Sequence, residues 1–173
     1  MSEAENWKNE PAPAWQAPEI GEHPIEGFRY TNRDFYEREF EHMWTKVWLL
    51  LGREDEIPNP GDWQREQAGP ESIIMVRQTD HTIKAFYNVC QHRGNRLVFD
   101  EQGSTKRFVC QYHSWAFSLD GELYFAQDSE DFAQGNPCGK VKLAEVPCET
   151  FTGFIWVNKD PEAKPLKEYL GPI

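Results

Sequence analysis

Four residues in two short segments have the types and the spacing that metal chemistry requires. Cys90-Gln91-His92 places a thiol and an imidazole one residue apart, and Cys110-Gln111-Tyr112-His113 places a second pair two residues apart. Seventeen residues lie between His92 and Cys110. Pairing like ligands puts both thiolates on one metal and both imidazoles on another. That split suits a two-iron, two-sulfide cluster with one Cys-ligated and one His-ligated iron. A single zinc ion held by all four is the competing assignment. Zinc sites favour Cys-x2–4-Cys followed by His-x3–5-His, which this spacing matches poorly. A Cys90–Cys110 disulfide would require an oxidising compartment. Cys138 and Cys148 have no comparable spacing and read as a buried or a surface thiol.

Two such loops must be presented by strands, and the surrounding sequence supplies them. Apolar and β-branched runs at Val47–Leu51, Asp62–Glu66, Ser72–Gln78, Thr82–Val89 and Phe108–Cys110 are separated by turn residues such as Pro58-Asn59-Pro60-Gly61 and Gly69-Pro70. Asp120-Gly121, between Trp115–Leu119 and Glu122–Phe125, predicts a type I′ hairpin. Residues 127–139 read as a loop, with strands expected at Val141–Val146 and Phe151–Asn158. One helix is expected over 32–45, where Tyr36, Phe40, Met43, Trp44 and Val47 share a face. Thr31 or Asn32 would cap it, Asp34 suits its positive end, and the aromatic stripe is expected to be core. Residues 1–27, rich in Glu and Pro and carrying Trp7 and Trp15, are expected to be an extended tail. The class is mainly β: an antiparallel β domain with one N-terminal helix.

Charge and hydropathy narrow the partners. The 173 residues carry 18 Lys+Arg against 29 Asp+Glu, a net charge of −11 that argues against non-specific binding to nucleic acid or to an anionic membrane. The longest apolar run is Val47–Leu51, far below the roughly 20 residues of a membrane span. The first residues lack the basic and apolar regions of a signal peptide. These features lead to the expectation of a soluble, cytoplasmic protein with neither nucleic acid nor membrane as partner. Against the acidic background, Arg93, Arg96, Lys106 and Arg107 form a local basic group beside the metal-ligand pairs. They read either as a docking patch for an acidic redox partner or as solvated side chains near a turn.

The pattern Cys90-x-His92-x17-Cys110-x2-His113 resembles the Rieske iron–sulfur motif. Its surroundings are similar to the N-terminal domain of the large (alpha) subunit of Rieske non-haem iron ring-hydroxylating oxygenases. His92-Arg93-Gly94, Trp115 with Asp120-Gly121-Glu122-Leu123, and the segment Glu149 to Asn158 carry the resemblance. It implies a Rieske-type antiparallel β-sandwich over 28–160, with a cluster-binding subdomain of two loops within about 88–120. It implies that Cys90, His92, Cys110 and His113 hold one [2Fe-2S] cluster per chain. Residues 161–173 would then begin a linker to a catalytic domain. The family relays electrons from a ferredoxin or flavin reductase, through the cluster, to a mononuclear iron(II) that activates dioxygen. Aromatic hydrocarbon catabolism and a homotrimer or hetero-oligomer are further implications.

That second iron resembles a site of two His and one carboxylate, and no His follows His113 here. The oxygen-activating residues are therefore expected outside this chain, which leaves it no catalytic residues of its own. The alternative is a free-standing Rieske ferredoxin, although such carriers are usually shorter and lack the acidic tail and the early helix. Respiratory Rieske proteins carry an extra Cys in each loop and a Ser that bonds a cluster sulfur. Asn95, Tyr112 and Trp115 stand at those positions, which implies a potential near the low end of the Rieske range, around −150 mV. Ser114 stands where the oxygenases normally have Gly, and is expected to alter loop packing without touching ligation.

Overall fold

The computed structural model describes residues 26–172; the tail over 1–27, with Trp7 and Trp15, lies outside the described residues except for its last two positions. The middle layer is a five-stranded antiparallel sheet built from β2 (Asp62–Ala68), β3 (Glu71–Arg77), β4 (Ile83–Tyr87), β5 (Gln102–Ser104) and β9 (Glu145–Val146), in the order β5-β2-β3-β4-β9. A three-stranded sheet of β1 (Leu49–Arg53), β10 (Cys148–Phe151) and β11 (Phe154–Val157) covers one face. A second three-stranded sheet of β6 (Phe108–Val109), β7 (Ala116–Phe117) and β8 (Leu123–Phe125) covers the other.

Strand β3 explains this layering. Ile73 and Met75 pack with Ala85, Ile155 and Val157 in one core, whereas Ile74 and Val76 pack with Phe86, Phe108 and Phe117 in another. A strand buried on both faces has no need of polar alternation, so Ile73-Ile74-Met75-Val76 is apolar throughout. The second core also contains Cys90, Cys110 and Trp115, so the metal-ligand loops rest directly on the sandwich.

Several local expectations are corrected. The sequence expected over 151–158 one strand; the chain instead turns back at Thr152-Gly153, with φ of 51° and 82°, a type I′ turn between β10 and β11. At Asp120-Gly121 only the glycine has positive φ, 88°. Its N–H donates to Ser118 O at 3.0 Å, giving a three-residue loop with a left-handed glycine in place of the expected type I′ turn. A Cβ there would also press on the Phe86 ring at 2.6 Å. The strand expected over 141–146 shortens to β9, preceded by a single bridge between Lys142 and Glu122.

The N-terminal helix is α1 (Phe28–Thr31) and α2 (Arg33–Glu39), continued by a π-turn over Phe40–Trp44. Asn32 caps α2, accepting the Phe35 N–H at 2.8 Å. Its aromatic stripe is not core: Tyr36, Met43 and Trp44 are 39–46% exposed, and only Phe40 is seated, on Gly69, where any Cβ would collide with the ring. Lys159, whose side chain is 3% exposed, donates to Ala68 O and Glu71 and lies 4.2 Å from the Phe40 ring centroid. A short helix, α3 (Leu166–Leu170), packs against β10. Among the described residues no helix is long and apolar enough to cross a membrane.

Candidate metal centre

The two ligand segments fold into the same turn. In the first loop Cys90 N–H donates to Asn95 O at 2.7 Å and Gly94 N–H to Cys90 O at 2.9 Å. In the second, Cys110 N–H donates to Trp115 O at 2.8 Å and Ser114 N–H to Cys110 O at 3.0 Å. The position four residues after each Cys is left-handed: φ is 73° at Gly94 and 57° at Ser114. Ser114 thus adopts the backbone a glycine would adopt, and the departure from the oxygenase pattern leaves the loop path unchanged. Buried Asn88 fixes the base of the first loop. Its Oδ1 accepts the N–H groups of Leu97 and Val98 at 2.9 and 3.0 Å, and its Nδ2 donates to Val98 O at 2.8 Å.

The candidate ligands come together as like pairs, Cys90 beside Cys110 and His92 beside His113. Cys90 and Cys110 are each 2% exposed and free of any disulfide. The His92 and His113 rings lie 4.7 Å apart at 74°. Trp115 stacks on His92 at 4.6 Å and 10°, Phe132 closes over Trp115 at 5.9 Å, and Tyr112 lies 3.8 Å from the His113 ring. A pocket of about 320 Å³ opens beside the imidazoles, lined by Trp115, Phe132, Asp128 and Asp131.

Burial favours the uncharged form of both ligand types. Burial, followed by His113 and Arg93, holds His92 below the usual imidazole range, which favours its neutral form. Burial pushes the Cys90 thiol up to about 11, against the opposing pull of the His92 and Arg93 backbone N–H groups. A cation entering here would displace that proton. His92 Nδ1 is buried with no hydrogen-bond partner, a loss that a metal bond would make good. Among the described residues no three His, Cys, Asp or Glu side chains converge on one ion position.

Sequence reasoning named the candidate ligands but missed the residues packed around them. Phe132, Asp128 and Asp131 fall within the loop expected over 127–139, and nothing in their spacing marks them. Asn88 was detectable as a poor strand former two residues before Cys90. Cys138 packs half-buried against the core beneath the loops; Cys148 belongs to the other core, where burial pushes its thiol up to about 12.

Comparison with known proteins bears on the same segment. The Rieske [2Fe-2S] domain family matches residues 47–145. The chain is 34% identical over 166 residues to the carnitine monooxygenase oxygenase subunit of Escherichia coli, covering 96% of this chain and 42% of that one. It is 40% identical over 144 residues to the large oxygenase component of the naphthalene 1,2-dioxygenase system of Pseudomonas aeruginosa, covering 81% and 32%. Among solved structures, a naphthalene 1,2-dioxygenase variant bound to phenanthrene superposes with a TM-score of 0.74 at 40% identity, over 81% of this chain and 32% of that one. A quaternary ammonium Rieske monooxygenase bound to gamma-butyrobetaine gives 0.77 at 29% identity, over 83% and 41%. The chain therefore spans about a third to two fifths of these relatives.

Proposed function

The chain belongs to the Rieske [2Fe-2S] domain family, and from that membership we propose that it is the electron-relay domain of a Rieske non-haem iron oxygenase. Cys90 and Cys110 would hold one iron of the cluster as thiolates, and His92 and His113 the other as neutral imidazoles. The bound cluster supplies a reversible one-electron step. The observation that carries the assignment is the meeting of two buried free thiols with two adjacent imidazoles, one of them with an orphaned buried nitrogen. Residues 28–160 form the relay domain, and 161–173 lead toward the oxygen-activating residues of the longer relatives. The free-standing carrier is not favoured, because the chain matches only one part of large oxygenase subunits.

The surrounding residues have separate tasks in this reading. Trp115 and Phe132 pack against the His92 ring and fix its orientation, and the His92 and Arg93 N–H groups face Cys90. An acidic ferredoxin or a flavin reductase would deliver electrons at the basic side of the loops. Arg93 lies 5.6 Å from the Tyr112 ring centroid and Arg107 lies 3.6 Å from that of Tyr124. Tyr112 is 57% exposed and touches His113, so a partner resting on Tyr112 approaches the imidazole directly. Among the described residues none of Arg93, Arg96, Lys106 and Arg107 is paired with a carboxylate. In this reading they meet the charges of an acidic partner. A homotrimer or hetero-oligomer that brings each relay domain to a neighbour's iron site is the assembly proposed for the full-length protein. One relative is named for carnitine and another for naphthalene, so the relay domain serves different substrate classes and the substrate here is set by residues beyond it.

Metal and sulfide analysis tests the reading. Purified, iron-supplied chain should contain two irons and two acid-labile sulfides and be red-brown. Stoichiometric zinc in a colourless protein would overturn it.

A further inference from the structure

The residue five positions after each cysteine reaches across to the opposite loop. Trp115, from the second loop, stacks on His92 of the first. Asn95, from the first loop, points its amide Nδ2 at Cys110 Sγ of the second, 3.8 Å away, within hydrogen-bond range for sulfur. The same Nδ2 donates to Arg96 O at 2.9 Å, so its two hydrogens have two acceptors and the amide plane is fixed. Asn95 is itself anchored, because its carbonyl accepts the Cys90 N–H at 2.7 Å. An Asn at a loop tip would ordinarily turn its amide to water; this one is half-buried and aimed at a sulfur.

We propose that Asn95 is a potential-setting residue: its side-chain amide donates across the loops to the Cys110 thiolate and favours the reduced cluster. The inference rests on the ligand assignment above and extends it to a side chain outside the four ligands. Reduction adds one negative charge to the cluster and its ligands, and a donor at sulfur stabilises the more negative state. The hydroxyl that respiratory proteins place at a cluster sulfur is replaced here by Trp115, whose ring stacks on His92. Asn95 supplies a donor from the other side, on a cysteine sulfur. Its backbone can be satisfied by any residue, so its distinctive contribution is the amide.

The test is a redox titration of cluster-loaded full chain against one-electron mediators, comparing wild type with Asn95→Leu and Asn95→Ala. Both variants remove the donor, and Leu also keeps the bulk. Iron and sulfide are counted on every sample. The expected result is two irons per chain in each variant, with the reduced fraction at a given poise falling about threefold to tenfold in the equilibrium ratio. Tenfold corresponds to about 59 mV. The Fe–S(Cys) vibrational bands should also lose part of their shift on transfer to D2O. Variants with two irons and an unchanged potential would overturn the proposal. Loss of iron from both variants would assign Asn95 to loop architecture and overturn it as well. Wild-type protein without two irons defeats the ligand assignment instead, before any variant is compared.

Discussion

Ser114 gives the sharpest test of the two-loop geometry. Both loops require a left-handed residue four positions after the cysteine, and only the first uses glycine. A left-handed non-glycine residue is disfavoured by about 1–2 kcal/mol. Replacing Ser114 by Gly removes that strain but loosens the unfolded chain, which offsets about 0.4–1 kcal/mol. The difference leaves about 0.8 kcal/mol of stabilisation, a rise of about 2–3 °C in melting temperature for a chain of this size. Gly94→Ala should do the reverse by a similar amount, because no atom lies within 4 Å of the added Cβ and only the backbone resists. The double variant should return to the wild-type value. Thermal unfolding of the cluster-loaded chain, followed by circular dichroism at one scan rate, measures all four proteins. A lower melting temperature for Ser114→Gly, or an unchanged one for Gly94→Ala, would show that the two positions do not share the backbone described here.

Cys90→Ser and Cys110→Ser should each leave the chain colourless with less than one iron, whereas Cys138→Ser should retain the visible spectrum; iron analysis and absorbance check both. Gly69→Ala should unseat Phe40, so hydrogen exchange should accelerate over 33–44 while β3 and β4 stay protected; unaltered protection of the helix would contradict the contact. Asp120 is held below the usual carboxylate range first by the Ser118 hydroxyl and then by the Glu122 N–H. Its folded value therefore lies under the unfolded one, about 3.9, and its contribution is complete above that pH and disappears as pH falls through the folded value. Asp120→Ala should be less stable than wild type by a constant margin from pH 5 to 7, and the margin in urea midpoint should shrink below about pH 4.

What the sequence disclosed follows from how local each signal is. The continuous apolar run of β3 and the two Cys/His pairs are self-contained; the run is buried on both faces, and the two imidazoles lie side by side. Strand β5 was missed because Gln102-Gly103-Ser104 has turn composition; it pairs with β2 because the bare Gly103 clears the Trp63 ring, where a Cβ would come within 2.7 Å. The helix stripe was misjudged for a related reason. Periodicity reports that one face is apolar, not that a surface lies opposite, and only Phe40 finds one. Thr152-Gly153 makes the type I′ turn that Asp120-Gly121 advertised, since it is the pairing of Phe151 with Phe154 that demands a two-residue connection.

The unequal ligand spacing, one residue in the first pair and two in the second, has its own physical explanation. Both cysteines start a turn of the same length, closed by the same two backbone hydrogen bonds. Within that common frame His92 occupies the second position after its cysteine and His113 the third. The second position of the other loop is Tyr112, and the third position of the first is Arg93. The difference in spacing is therefore a choice of rung on one scaffold, not a difference in loop length. It lets the two imidazoles meet at 4.7 Å while the two vacated rungs, Arg93 and Tyr112, come together on the surface as a cation–aromatic pair. One arrangement thus sets the paired imidazoles on one side of the loops and an exposed Arg–Tyr pair on the other. The fifth position completes the pattern, with Asn95 and Trp115 each crossing to the opposite loop. A shift of either histidine by one position should break both features together: moving the imidazole from His113 to Tyr112 would leave it at the exposed rung, away from His92.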